Sequence, residues 1–412
     1  MTTTETAATG TETEEEFRAR VNAFLSEHAT GLDYETPDPR SANELEANKA
    51  FQQKLFDAGL AGLTYPKEHG GQGLSLAFEK AFREEVSKYP DMVTQLTISH
   101  GMCVPMLNEY APEHLKAKYM PDAIAAKTVW CQMFSEPGAG SDVASLQTKA
   151  MLDGDEWIIN GQKVWTTLGH VSDYGILIAR TDVEVPKHKG ITMFIVDMND
   201  PAVEARAIHQ IDGGMHFNEV FFTDLRVPKD HVLGDVNDGW RMATAMLMYE
   251  RVAIGTGSSS GIKTPTFKML KRKAEEAGVA DQPVVRQALM KIYGEEVTKS
   301  LVSLQTRAAL KAGKTPGPGG SLGKLHGARI SVMTRAVLLA VEGASGIAWD
   351  PADGKGGDGA HFTLRSFAAN IAGGTDEIQK NIIGDRVLGL PRDISVDRAV
   401  PFKELKVGTQ SS

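Results

Sequence analysis

The sequence predicts a mainly α-helical protein with a small antiparallel β domain set between two helical regions. Two changes of periodicity carry that expectation. Apolar residues recur at helical spacing to about residue 128, give way to short β-branched and aromatic runs, and return to long helical patterns from Asn237. Length is the third observation, because 412 residues exceed what a single core usually organises. The boundaries that follow are a disordered lead-in over 1–13, an N-terminal helical domain over 14–128, a middle β domain over 129–236 and a C-terminal helical bundle over 237–412.

Taken in order, the opening MTTTETAATGTETEEEF has neither the apolar core of a signal peptide nor the arginines of a transit peptide. From Glu14 to about Ala126, EANKAFQQKLFDAGL and LAFEKAFREEVSKY have helical spacing, with turns at YPKEHGGQG and Pro112. VWCQMF, EWIIN, YGILIAR, ITMFIVD and EVFFT then read as strands. Asn160-Gly161, between EWII and QKVW, predicts a two-residue hairpin, and Asp153-Gly154-Asp155 predicts another turn. In the last region KTPGPGGS at 314–321 and DPADGKGGDG at 350–359 read as flexible connectors by composition.

Composition excludes several function classes. Hydrophobic residues at 42% and charged residues at 24% are those of an ordinary soluble globular protein. A net charge of −9, from 44 basic and 53 acidic residues, argues against a surface built for nucleic acid, although a local basic pocket stays open. Cys103 and Cys131 are too few for a disulfide framework and too isolated for a zinc site, so two buried thiols and no metal are expected. No run of 18 apolar residues occurs, so no membrane span is expected and the cytoplasm is the default location. GPGGSLGKL at 317–325 fails as a phosphate loop, with Pro318 in place of the first glycine and Leu325 where Ser or Thr should bind magnesium. No GxGxxG follows an expected strand and precedes a helix, no HExxH occurs, and no internal repeat is evident.

MFSEPGAGSDV at 133–143 poses the functional question. Glycines 138 and 140 let backbone N–H groups approach an anion without a Cβ in the way, while Ser141 and Asp142 could equally cap a turn or a following segment. KVWTTLG at 163–169, FNEVFFTDLRVP at 217–228 and GGTDEIQKNIIGDRVLGLPR at 373–392 follow in order. Together the four motifs resemble the acyl-CoA dehydrogenase family over nearly the whole chain from about Glu14.

That resemblance implies a three-domain architecture of helical domain, β-barrel-like domain and four-helix bundle, with FAD as cofactor. It implies that Phe134 and Ser135 lie along the flavin ring, that the loop of Gly140 and Ser141 meets the pyrophosphate, that Trp165, Thr166 and Thr167 flank the ring, and that Thr375 is a further flavin contact. Without the other motifs Trp165 would read as a strand-face core residue. Ser141 and Arg251 are the implied substrate contacts. The thioester oxygen would meet a flavin ribityl hydroxyl and the backbone N–H of Gly373.

The base that removes the α-proton stands in many family members as a Glu immediately before Gly-Thr, and here that position is Gly373. The chain resembles instead the isovaleryl-CoA and long-chain type, whose carboxylate lies on another helix in a Glu-Arg pattern, here AMLMYERVAIG with Glu250. That helix reads as apolar on nearly every side, which would bury Glu250 and raise its pKa unless it is paired. A structural ion pair is the competing role for Glu250, and Asp376 and Glu377 are rival carboxylates that fit better in the first turn of a helix. The small Ala372-Gly373 pair leaves room for branched or bulky acyl groups.

Two departures bear on the adenine end of FAD. Ala277-Gly278 stands where the family has Phe-Gly, with Arg272 and Lys273 as possible phosphate partners, and the Gln-led Gly-Gly-x-Gly turn is replaced by VEGASGIAW. The expected activity is α,β-dehydrogenation of an acyl-CoA to the trans-2-enoyl-CoA, in fatty acid or lipid catabolism, with electrons passed to an electron-transfer flavoprotein. A homodimer or homotetramer through the C-terminal helices is implied. The alternatives are a noncatalytic or half-equipped subunit of a hetero-oligomer and a flavin acyl-CoA oxidase.

Overall fold

A computed structural model describes residues 12–29, 42–89, 92–255, 266–311, 319–350, 355–391, 394 and 397–405; for 42–43, 250–255, 307, 310–311, 319, 349–350 and 355–356 it describes the backbone alone. The chain groups into two compact units, residues 1–96 with 112–129 and residues 97–111 with 130–412. The lead-in falls almost wholly outside the described residues.

The first unit is helical. Helix α1 (Glu14–His28) starts where it does because Thr13 and Glu16 exchange bonds: the Thr13 hydroxyl accepts the Glu16 N–H at 3.2 Å and the Glu16 carboxylate accepts the Thr13 N–H at 2.8 Å. Phe17, Val21 and Leu25, four residues apart, are its buried row. Phe17 meets Phe78 of α3 (Leu76–Val86) edge to face at 5.0 Å. The Gln52 amide of α2 (Ala42–Asp57) donates to the Ile124 carbonyl at the end of α5 (Glu113–Ile124) at 2.9 Å. Helix α4 (Val104–Tyr110) belongs to the second unit.

The second unit holds one eight-stranded sheet. Its strands are β1 (Trp130–Met133), β2 (Lys149–Asp153), β3 (Glu156–Thr167), β4 (Tyr174–Arg180), β5 (Ile191–Asp197), β6 (Val203–Ala207), β7 (Phe217–Pro228) and β8 (Val232–Leu233). They run β6-β7-β3-β2-β4-β5-β8, with β1 beside β4. Pairing is antiparallel except for β1 on β4 and the single step Lys149–Arg180 between β2 and β4. Met133, Trp157, Ile159, Leu177, Phe194 and Val220 are among the core side chains of this sheet.

Only one of the two turns predicted here forms. Gly154, at φ +62°, turns β2 into β3 as expected. Asn160-Gly161 makes no hairpin: β3 runs straight through it, paired with β2 at Asn160 and with β7 at Gly161. A central strand bonded on both edges outweighs the local turn preference. Gly161 is required for close approach instead, since a Cβ there would lie 2.5 Å from the Thr148 hydroxyl. Asn160 exchanges two 2.9 Å bonds with Asp224 across the sheet.

Helices α6 (Gly239–Gly255), α7 (Phe267–Glu276), α8 (Pro283–Lys311), α9 (Gly319–Glu342), α10 (Asp358–Ser366) and α11 (Asp376–Arg386) follow. Leu270, Leu289, Ile292, Ile330, Leu338 and Phe362 form part of a shared core among them. Among the described residues one stretch, Gly320–Ile347, is long and apolar enough by composition to cross a membrane. Its Ile330, Val337, Leu338 and Val341 are spent on that helical core. Of the expected connectors, KTPGPGGS ends inside α9 from Gly319, and DPADGKGGDG contributes to a two-residue antiparallel pair, β9 (Trp349–Asp350) with β10 (Lys355–Gly356), before Asp358 opens α10. Residues 312–318 and 351–354 lie outside the described residues.

Candidate cofactor and active site

The loop after β1 is built on a buried charge. Glu136 and Ala139 exchange both backbone hydrogen bonds at 3.0 Å around Pro137-Gly138, which makes a tight turn. The Glu136 carboxylate points inward and accepts the Lys163 ammonium at 2.8 Å and the N–H groups of Thr148 and Gln147 at 2.9 and 2.6 Å. Burial pushes its pKa up, but Lys163 and these donors outweigh burial and hold it below the usual carboxylate range. Lys163, itself fully buried, also donates to the Phe134 carbonyl at 3.1 Å, and the Ser135 carbonyl accepts the Val164 N–H at 2.9 Å. Phe134 and Ser135 are thereby tied to the KVWTTLG strand.

Beyond this anchored turn the loop opens to solvent. A Cβ at Gly140 would meet nothing within 4 Å, and Ser141 is exposed. Asp142 precedes a one-turn 3-10 helix, Val143–Ser145, without a side-chain cap bond. Its carboxylate instead accepts the Ser145 hydroxyl at 2.5 Å and the Lys187 ammonium at 2.8 Å.

At the far end of β3 the ladder with β7 shifts register between Lys163 and Thr166. Trp165 takes φ +62° and Leu168 φ +57°, left-handed angles that cost roughly 1–2 kcal/mol each for residues with a Cβ. The fully buried Asn218 holds the turn: its amide donates to the Thr166 carbonyl at 2.9 Å, and its Oδ1 bonds the His170 imidazole at 2.9 Å. The Leu168 N–H donates to the His216 carbonyl at 2.7 Å. The reading of Trp165 as a core residue is thereby overturned, because the bulge throws its indole outward to 58% exposure, edge-on to Phe217 at 5.8 Å. Thr166 points inward with its hydroxyl buried and unpartnered, and Thr167 is half-buried at the strand end. Burial, reinforced by Arg365 and opposed by Asp212, pushes the pKa of His216 down to about 4. Arg365 on α10 lies 3.4 Å from Asp212, both side chains nearly buried.

The third element is the turn before α11. Gly373 and Gly374 sit at φ +67° and +85°, and Gln379 donates to the Gly373 carbonyl at 2.9 Å. The Thr375 hydroxyl caps α11 by accepting the Ile378 N–H at 3.3 Å, so Asp376 and Glu377 occupy the first helical turn as predicted. Asp376 accepts Lys324 at 2.9 Å and Asn370 at 2.7 Å. Burial alone would raise its pKa, yet these two partners lower it, which makes Asp376 a poor base.

The expectation for α6 needs correction. Gly239, Met242, Ala243 and Met246 form one buried row, whereas Met248 is 54% exposed, so the helix is amphipathic rather than enclosed. Positions 250 and 251 are helical, but the side chains of Glu250 and Arg251 lie outside the described residues. Lys273 is engaged by Asp358 at 2.6 Å and Glu342 at 3.4 Å, which removes it as a free phosphate partner; Arg272 is exposed, 3.7 Å from Glu276. Sequence reasoning missed Glu136, Lys163, Asn218 and Gln379. The available signal was Lys163 itself, a charge in phase with the inward-facing Trp157 and Ile159.

The chain matches family models described as acyl-CoA dehydrogenase N-terminal domain over residues 11–127, middle domain over 131–225 and C-terminal domain over 237–388. It is 36% identical over 388 residues to acyl-CoA dehydrogenase IpdE1 of Mycobacterium tuberculosis, spanning 92% of this chain and 98% of that protein. Among solved structures, the ChsE4-ChsE5 complex from Mycobacterium tuberculosis is similar with TM-score 0.73 at 26% identity, covering 94% of this chain and all (100%) of that one. The Tcur3481-Tcur3483 steroid ACAD is similar with TM-score 0.73 at 26% identity, covering 92% and 98%.

Proposed function

The chain belongs to the acyl-CoA dehydrogenase family, oxidoreductases acting on CH–CH bonds, and from that premise we propose that it uses FAD to convert an acyl-CoA thioester to the trans-2-enoyl-CoA and passes the electrons to an electron-transfer flavoprotein. Bound FAD supplies the two-electron acceptor for the β-hydride, chemistry that no side chain offers. The family implies a flavin, and the residues fit one: an exposed glycine loop for the pyrophosphate, an outward indole, and a buried Thr166 hydroxyl without a partner. The turn at Trp165 carries the reading. A strained backbone that exposes a tryptophan serves a ligand better than it serves packing.

In this reading Phe134, Ser135, Gly140, Ser141, Trp165, Thr166, Thr167 and Thr375 hold the cofactor, and Ser141 and Arg251 contact substrate. Glu250 takes the α-proton while the pair from the β C–H bond leaves as hydride, so the α C–H pair becomes the new C=C bond. The N–H of Gly373 donates to the thioester oxygen as charge builds there. The ion pair of Asp376 with Lys324 supports Glu250 over its nearest rival. A branched or ring-bearing acyl group is the proposed substrate class, supported by the absence of a side chain at Gly373 and by the likeness to a steroid ACAD.

A second reading is a subunit of a hetero-oligomer, supported by the likeness to the ChsE4-ChsE5 complex. Both assemblies need an apolar face, and α8 exposes Met290, Tyr293, Val297, Leu301 and Leu304 at heptad-like spacing. Anaerobic bleaching of the purified yellow protein by straight, branched and polycyclic acyl-CoAs tests the first reading. Glu250→Gln should keep flavin and acyl-CoA affinity and lose ~10²–10⁴-fold in the rate of bleaching. A rate near wild type removes Glu250 from the mechanism. A colourless chain that gains flavin and activity only with a co-expressed homologue favours the second reading, and rapid reoxidation in air favours an oxidase.

A further inference from the structure

The C-terminal residues Asp397–Leu405 lie along the connection between β4 and β5, within the same unit. Pro401 bridges Pro186, and the N–H groups of Phe402 and Lys403 donate to the carbonyls of Val185 and Val183 at 2.9 and 3.0 Å. Lys403 pairs with Glu184 at 2.5 Å. These bonds add a short strand-like edge to that connection.

Two side-chain bridges run from this edge into the glycine loop. The buried Phe402 ring lies 3.8 Å from the Arg180 guanidinium, which donates to the Lys187 carbonyl and to the Ala144 carbonyl, both at 2.5 Å. Arg180 is buried and its Nε has no partner, so the ring face offsets part of the cost of enclosing that charge. The second bridge is ionic: Lys187, nearly buried, is held between Asp397 at 2.6 Å and Asp142 at 2.8 Å. Both bridges end at residues 142–144, directly after Gly140-Ser141, whereas the Glu136–Lys163 pair anchors only the start of the loop.

We propose that Asp397–Leu405 is a strap that positions the loop from Gly138 to Ser145 for the pyrophosphate of FAD, acting through the positioning residues Arg180 and Lys187. The proposal rests on the reading of that loop as a pyrophosphate site. Without the strap, Asp142 loses a fixed ammonium and Ala144 a fixed donor, and the exposed glycines regain their freedom.

Backbone hydrogen exchange at residues 139–146 reads loop order without flavin, and FAD affinity reads its consequence. Phe402→Leu keeps apolar volume and removes the ring face, Asp397→Ala removes one ion pair with little effect on packing, and Phe402→Tyr keeps the face. The first two should raise exchange in the loop by about tenfold, leave β5 and β7 protected and weaken FAD binding to a similar degree; Phe402→Tyr should match wild type. Unchanged loop exchange in both variants, or a rise spread evenly over the sheet, overturns the strap. Loosening with unchanged FAD affinity also overturns it, and Gly140→Val, which the fold admits, then locates the error. Lost flavin in that variant leaves the loop reading standing and condemns the strap; retained flavin condemns the loop reading itself.

Discussion

Two turns of the second unit both use left-handed backbone angles and have opposite contents. Trp165 and Leu168 hold φ of +62° and +57°, and Gly373 and Gly374 hold +67° and +85°. The first turn forces a bulky side chain into a left-handed angle and holds it there with Asn218, the His216 carbonyl and, one residue before the register shift, the Glu136–Lys163 pair. The second has no side chain to force and is held by Gln379 and the Thr375 cap. In the first turn the fold strains the backbone around an exposed indole; in the second the sequence removes the side chain that would be strained.

The anchoring of the first turn breaks most readily at Lys163. Lys163→Met keeps an unbranched side chain of similar length and leaves the Glu136 carboxylate buried with two N–H donors but no bonded cation. The expected cost is about 3–5 kcal/mol in chemical denaturation, with a shift in Trp165 fluorescence as the strand end loosens. Adding Glu136→Gln should recover part of it. A cost below about 1 kcal/mol would mean that the pair does not organise the turn.

Acid should weaken the same turn at His216. Its folded pKa of about 4 lies below the unfolded value of about 6.5, so the unfolded chain binds more protons between them. Stability is therefore full above about pH 6.5 and falls as pH drops toward 4, by roughly 3 kcal/mol from this group. His216→Gln should flatten the stability profile between those pH values. An equally steep profile in the variant would assign the acid sensitivity elsewhere, since Asp376 at the glycine turn, held below the usual carboxylate range, responds only at lower pH.

The contrast also explains what the sequence could reveal. Periodicity and short β-branched and aromatic runs located both helical regions and the strands, and the first turn of α11 was legible because Asp376 and Glu377 complement a helix N-terminus. Asn160-Gly161 misled because bonding on both edges of β3 is a property of the sheet, invisible in a dipeptide. Trp165 was ambiguous because its exposure depends on the register shift against β7. Glu136 and Asn218 were missed because the contacts that matter most, to Lys163 and to Thr166, lie 27 and 52 positions away in sequence, and neither has a local signature. Helix α6 was overread, since composition shows how apolar a helix is and not which rows are covered.

The smallest effects give the sharpest comparison, because they ask each turn to exchange contents. Gly373→Ala places a Cβ at φ +67° and should cost about 1 kcal/mol through backbone strain alone. Gly373→Glu carries the same strain, so restoring the family's commoner carboxylate position also disturbs the backbone N–H proposed as the thioester donor. Trp165→Gly runs the other way. It releases strain of roughly 1 kcal/mol, and that gain is largely cancelled by the greater freedom of glycine in the unfolded chain, about 0.5–1 kcal/mol. With the indole 58% exposed, little burial is lost, and stability without flavin should stay within about 0.5 kcal/mol of wild type while flavin affinity falls. Chemical denaturation of the flavin-free protein decides it. A loss of about 3–5 kcal/mol, the cost of truncating a core tryptophan, would show that Trp165 packs rather than presents, and the two turns would no longer differ in kind.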